Sequence, residues 1–240
     1  MPKQYSRLHK GEVTLRLGCN LANGKVGGDS KIGCALGLDF RYLDGASFTS
    51  RDVYGHLCTP QGGAKWQLDG FYFAGDHYYI DCGNPAVLQA PPLLTLEARV
   101  KRAAAGAYHT VISKYRDAVP NFSYNFEIYN NNLLQLQVLT GDGNFSMYTA
   151  STIPANQWKH LEGVYDGSEI REFIDGRPDG TPVAATGTIT VDTVNVFIGA
   201  NSVAGDHVEH MNGLISLARI YNLPRYAAQV LQGAIDARRN

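Results

Sequence analysis

Residues 153–180 read IPANQWKHLEGVYDGSEIREFIDGRPDG, and the turn residues in this stretch decide how the chain folds. A Pro-x-Asn turn precedes Trp158, which begins a strand, and Tyr165-Asp166-Gly167 and Ile174-Asp175-Gly176 mark the register of the hairpin that follows. Asp-Gly suits a backbone of positive φ, so EIREFIDG is a strand that ends in a reversal and continues through GRPDGTPV as a second short strand. An aromatic as large as Trp158 at the head of its strand is expected to cap the edge of the core.

The same grammar recurs on both sides. ALGLDF places Leu36, Leu38 and Phe40 on one face, LTLEARV places Leu94, Leu96, Ala98 and Val100, and YNFEIY places Tyr124, Phe126 and Ile128. Alternation of this kind in short runs separated by Gly, Asn, Asp and Pro is the mark of antiparallel strands with one buried face. LLQLQVL sets Leu134, Leu136 and Val138 against Gln135 and Gln137, and it pairs with YNFEIYN as a hairpin turning through Asn130–Asn132. NVFIGA and LISLARIY supply further strands. Only residues 225–237 have helical spacing, with Ala228, Leu231, Gln232 and Ile235 on one face. The expected fold class is all-β: a two-sheet antiparallel sandwich over residues 34–240 with a short C-terminal helix.

The chain has 240 residues, 44% hydrophobic and 18% charged. A length of this order buries about 70–75% of the unfolded surface, enough for a core that needs no metal or disulfide. With 21 Lys and Arg against 22 Asp and Glu, no net field draws it to nucleic acid or to an anionic membrane. No run of eighteen apolar residues and no signal-peptide pattern occurs, so neither a membrane span nor a secretory signal is expected. The expected route is cytoplasmic synthesis with a role there, in a virion or outside the cell. Residues 1–33 form a basic, Gly-rich N-terminal arm suited to docking on a neighbouring subunit. Cys19, Cys34, Cys58 and Cys82 match no zinc spacing. Buried free thiols are expected, with a Cys34–Cys82 bridge as the alternative.

GFYFAGDHYYIDCG (70–83), LTLEARVKRAAAGAYHTVISKY (94–115), the 153–180 stretch, VFIGAN (196–201) and MNGLISLARIYN (211–222) together resemble the laminin G-like, concanavalin A-like jelly-roll family over residues 34–232. The resemblance implies a jelly-roll sandwich. It also implies a possible calcium site near one edge, with Asp76 at an acidic position of the family's loop, although Ala74 stands at the other acidic position. Asp166, Asn201 and Asp206 are the remaining candidate oxygen donors. His207 and His210 flank Glu209, but without helical spacing or an HExxH pattern they read as exposed loop histidines. The Glu-x-Asp-x-Glu strand of the family's glycosidases is absent, which argues against catalysis.

Sugar binding needs aromatic platforms beside amides and hydroxyls. Tyr129 and Tyr148 fall opposite the buried set, and with Asn131 and Asn132 they are the candidate ligand residues. The expected function is therefore a non-catalytic binding or adhesion module for a glycan or protein surface, requiring no cofactor. The alternatives are a structural subunit of a larger assembly, such as a viral capsid decoration or fibre that oligomerises through residues 1–33, and, third, a polysaccharide-active enzyme.

Overall fold

The computed structural model describes residues 33–42, 46–89, 91–116, 122–203 and 206–238. The basic arm, apart from Gly33, and Cys19 lie outside the described residues. The strands are β1 (Cys34–Asp39), β2 (Phe48–Thr49), β3 (Leu57–Gln61), β4 (Lys65–Gln67), β5 (Gly70–Ala74), β6 (Tyr79–Asp81), β7 (Leu94–Arg102), β8 (His109–Tyr115), β9 (Phe122–Ile128) and β10 (Leu133–Thr140). They continue with β11 (Gly143–Thr152), β12 (Lys159–Tyr165), β13 (Glu169–Ile174), β14 (Arg177–Pro178), β15 (Val183–Ala184), β16 (Phe197–Ile198), β17 (Asn201–Val203), β18 (Asp206–Val208) and β19 (Asn212–Tyr221), followed by the α-helix α1 (Ala227–Arg238).

Two large antiparallel sheets form a sandwich. The nine-stranded sheet runs β14-β13-β12-β7-β19-β5-β4, with β1 pairing on β19 and β15 on β13. The eight-stranded sheet runs β11-β10-β9-β8-β16-β6-β3-β2, and β17 and β18 form a separate hairpin. The alternating apolar residues of the two inner faces make one continuous core, from Leu36, Leu96 and Ala98 on one sheet to Phe126, Leu136 and Ile198 on the other. Gly163 of β12 shows how closely the sheets approach: a Cβ there would lie 3.0 Å from Leu136 Cδ2 and 3.1 Å from Phe126 Cε2. The reversal at Asp175-Gly176 has the expected geometry, with φ of 54° and 83°. The β9–β10 hairpin turns through Asn132 at φ 71°.

Three local expectations are corrected. Trp158 does not cap the core; its ring lies under the Arg99 guanidinium, 4.3 Å from carbon to centroid. The reason is alternation: Ala98 and Val100 take the buried positions of β7, leaving Arg99 and its aromatic partner on the outer face. Among the cysteines, Cys58 and Cys82 are free and buried, so the Cys34–Cys82 bridge does not form. Cys34 is disulfide-bonded, so it is not a free thiol. The Cys82 thiol is pushed well up, first by its hydrogen bond to Cys58 and then by burial.

The third correction concerns which face of α1 is buried. Val230, Gly233, Ala234 and Ala237 face inward, whereas Leu231 is 47% exposed. Small residues win because the helix lies on a charged network on the outer face of the nine-stranded sheet. Cross-strand register aligns Glu162, Glu97 and Arg219 in one row over β12, β7 and β19. Arg225 Nη1 joins the two carboxylates, at 3.0 Å from Glu162 Oε1 and 3.2 Å from Glu97 Oε2. A Cβ on Gly233 would stand 2.6 Å from Glu97 Oε1 and 2.7 Å from Arg225 Nη2. Gly233→Ala is therefore expected to lower stability by about 1–2 kcal/mol through overpacking, although alanine is the better helix former. A chemical denaturation midpoint at or above that of the parent would contradict this.

Candidate functional site

Strand alternation writes two polar rows across the outer face of the eight-stranded sheet. Register aligns Thr110, Glu127, Gln135 and Tyr148 over β8 to β11, and next to them Ser113, Asn125, Gln137 and Ser146. The inner face between these rows carries Ile112, Phe126, Leu136 and Met147. The same period-2 rule thus produces both the core and a surface of amides, hydroxyls and one carboxyl.

Tyr148 ends the first row, and Tyr129 and Tyr108 extend from it. Tyr108 and Tyr129 meet edge-to-face at 4.6 Å between centroids, and Tyr129 and Tyr148 at 5.5 Å. Gln135 Nε2 donates to the Tyr148 hydroxyl at 2.6 Å, Asn130 Nδ2 donates to the Tyr108 hydroxyl at 3.1 Å, and Gln137 Nε2 donates to Asn144 Oδ1 at 3.0 Å. Tyr148 is 38% exposed, so the ladder keeps an open aromatic edge. A hydrogen bond to Tyr129, followed by desolvation, raises the Tyr108 hydroxyl to about 12. Tyr129 and Tyr148 are thus brought together. Asn131 and Asn132 lie in the adjoining turn with their carbonyls engaged: Asn131 Oδ1 accepts from Leu133 N, and Asn132 Oδ1 accepts from Arg102 Nη1 and Gly106 N.

The hairpin β17–β18 packs on the same sheet beside this surface. Ser113 Oγ donates to the Ala200 carbonyl at 2.7 Å, and Thr110 N donates to the Glu209 carbonyl at 3.0 Å. Asn201 Nδ2 holds Glu209 Oε2 at 2.6 Å. The Glu209 carboxyl faces Glu127, which is only 3% exposed. Burial, and then the like charge of Glu209, push the Glu127 carboxyl up to about 8, against weaker hydrogen bonding from Asn125 and Thr110. Among the described residues, Asn125 Oδ1, Glu127 Oε2 and Asn201 Oδ1 are buried without a hydrogen-bond partner. Orphaned polar atoms beside a strongly shifted carboxyl make this region a candidate functional site.

Beyond the hairpin opens a cleft of ≈ 530 Å³ lined by Gln61, Gly62, His77, Tyr79, Asp206 and His207. The His207 ring stacks on Tyr79 at 3.8 Å and meets Phe197 edge-on at 4.7 Å. Desolvation lowers His207, with His210 adding to the effect. Desolvation likewise lowers His210, opposed by the His207 carbonyl and reinforced by His77. The four candidate calcium donors are placed separately. Asp76 is exposed beside His77, and Asp206 lines the cleft. Asn201 is buried against Glu209. Asp166 accepts from Ser168 N and Glu169 N and pairs with Arg171 Nη2 at 2.6 Å.

Among the described residues, two groups of three metal-competent side chains bring ligand atoms within 4.8 Å of one another: Asp76, His77 and His210, and the buried set Glu97, His160 and Glu162. The second is occupied by guanidinium groups, from Arg219 and Arg225. Sequence reasoning missed Glu127, Glu209, Gln135 and Tyr108. The polar positions of YNFEIY and LLQLQVL were visible, but their alignment with Tyr148 depends on cross-strand register.

The sequence profile of the concanavalin A-like lectin/glucanases superfamily (Laminin_G_3) matches residues 74–231. No curated protein matches the sequence. Solved structures share the fold at low identity. A structure of botulinum neurotoxin type C, whose cell entry is described as dependent on two ganglioside molecules, has a TM-score of 0.66 at 12% identity, covering 86% of this chain and 51% of that one. The binding domain of botulinum neurotoxin DC, in complex with rat synaptotagmin II, gives 0.65 at 12% identity, covering 86% and 52%. The binding domain of Paraclostridial Mosquitocidal Protein 1 gives 0.64 at 11%, covering 84% and 52%. The chain spans about half the length of these structures, and the likeness is one of fold. With the profile matching well over half of its length, on a two-sheet sandwich, the chain belongs to the concanavalin A-like lectin/glucanases superfamily.

Proposed function

We propose that the chain is a non-catalytic binding module whose ligand is a glycan, held on the outer face of the eight-stranded sheet at the Tyr108–Tyr129–Tyr148 edge. The observation that carries this reading is the tyrosine ladder bordered by Asn130, Gln135, Gln137 and Asn144. Pyranose faces stack on aromatic rings while their hydroxyls take directional bonds from amides, and this edge offers both. The dependence of botulinum neurotoxin type C cell entry on two ganglioside molecules supports the same class of ligand.

Catalysis is disfavoured by the carboxyl geometry. A retaining glycosidase keeps its two carboxyls about 5–5.5 Å apart and an inverting one about 6.5–9.5 Å apart, on either side of the scissile bond. Here Glu127 and Glu209 interact with each other directly, and Glu127 is closed off from a sugar ring.

A glycan array of the intact chain, followed by calorimetry on the best hit, tests the proposal. Tyr129→Ala and Tyr148→Ala are each expected to weaken binding about tenfold or more, a loss of about 1.4 kcal/mol, with the melting temperature little changed for Tyr148→Ala. Full affinity in both variants moves the site elsewhere, and an array without a saturable hit rejects the glycan in favour of a protein surface.

A further inference from the structure

We propose that Asp76, His77 and His210 form a binding site for a divalent transition-metal ion, with zinc as the ion the donor set fits best. The three side chains come from two separate loops, β5–β6 and β18–β19, and their ligand atoms lie within 4.8 Å of one another. In a tetrahedral zinc site, with bonds of about 2.0–2.2 Å, neighbouring ligand atoms stand about 3.3–3.6 Å apart. Side-chain rotation of roughly an ångström closes that gap. The side chains of His77 and Asp76 are 78% and 84% exposed and free to make it.

Consecutive residues normally send their side chains apart. His77 takes φ 58°, and this left-handed turn brings its Nε2 to 3.2 Å from Asp76 Oδ1. The turn is held by close packing, since a Cβ on Gly62 would fall 1.8 Å from the His77 carbonyl oxygen. His210 approaches from the other loop, its ring 5.8 Å from that of His77. Its Nε2 sits 2.9 Å from the His207 carbonyl, the Tyr78 backbone also faces the ring, and among the described residues its buried Nδ1 has no hydrogen-bond partner of good geometry. A histidine that donates one ring N–H to a carbonyl and keeps a lone pair on the other nitrogen has the arrangement common to metal-ligating histidines.

The donor set selects the ion. Calcium takes six to eight oxygens, and this cluster offers one carboxylate. Two imidazoles and a carboxylate suit zinc, cobalt, nickel or copper. Three protein ligands leave a fourth position for water or for an oxygen of a ligand in the adjoining cleft, which His77 also lines.

Calorimetric titration of the full chain, first stripped with chelator, with zinc chloride alone tests the site. Binding of one zinc per chain is expected, weakened in His77→Ala and in His210→Ala by at least the about 10- to 100-fold that loss of an outer-shell partner costs, and unchanged in Asp166→Asn. Cobalt(II) titration gives the second readout: a visible absorption band of nitrogen- and oxygen-ligated cobalt in the parent, lost in both histidine variants. Absence of zinc binding tighter than about 100 μM overturns the proposal. So does zinc binding that survives both histidine substitutions, or calcium binding at the same site with equal strength. None of these outcomes bears on the tyrosine edge, which is read by glycan binding.

Discussion

Arg225→Ala is expected to destabilise the protein by about 3–5 kcal/mol, lowering the melting temperature on the order of 10 °C. Arg225 is almost fully buried, and its guanidinium is the shared partner of two buried carboxyls. Glu97 also receives Arg219 Nη1 at 3.1 Å, the Tyr221 hydroxyl at 2.6 Å and His160 Nε2 at 2.9 Å. Burial would raise the Glu97 carboxyl, but Arg219, Arg225 and His160 outweigh it and hold it well below the usual range. Burial raises Glu162 well above the usual range, with Arg225 as its main counterweight. Removing Arg225 strands Glu162 and takes away the side chain that donates to the Gln229 carbonyl at the start of α1. The largest part of the loss is a buried network left incomplete: Glu162 loses its donor and Glu97 loses one of its two guanidinium partners. Undocking of α1 should accompany it, seen as faster amide exchange over residues 227–238. A melting temperature within two degrees of the parent would show that the network contributes little.

Glu127→Gln should act in the opposite direction, and only at high pH. The Glu127 carboxyl titrates near 8 in the folded protein and near 4.5 when unperturbed. Between these values the native state binds more protons than the unfolded chain, so stability falls as pH rises through this window. The contribution is fully present below about pH 4.5 and lost as pH passes 8. Glutamine mimics the protonated form at every pH. The variant is therefore expected to match the parent near pH 4 and to become more stable than it as pH rises, by up to about 5 kcal/mol above pH 8. Burial also raises Glu162 and Glu172, so the parent loses stability with pH through them as well. The difference between variant and parent isolates Glu127, and identical pH profiles for the two proteins would remove it as the source.

The strands were legible because their signal is local. LTLEARV, YNFEIY and LLQLQVL each alternate within a few residues, and β7, β9 and β10 bury the residues the alternation selects. The Asp175-Gly176 reversal needed only its own dipeptide. The helix was legible in extent but not in orientation. Leu231 has the larger apolar surface, yet Gly233 faces the sheet because Glu97 and the buried Arg225 leave no room for a side chain there.

The candidate site divides along the same line. Tyr129 and Tyr148 stand out in the sequence as tyrosines opposite the buried set, and the fold brings them within 5.5 Å. Their neighbours Tyr108, Glu127 and Glu209 carry no local mark, since nothing in FEI or in VEH distinguishes a carboxyl facing another carboxyl from one facing water. His210 read as a loop histidine for the same reason, its partners lying more than a hundred residues earlier in the chain.

By itself the sequence determined an all-β sandwich with one terminal helix, the residues of its core, and its turns. These follow from steric and hydrophobic preferences that act within a few residues. The tertiary structure alone decided which polar groups meet: Glu162 with Arg225, Glu127 with Glu209, Asp76 with His210. Such encounters are set by cross-strand register and loop packing, which place distant residues at contact distance and fix their charge states through burial and neighbouring charge.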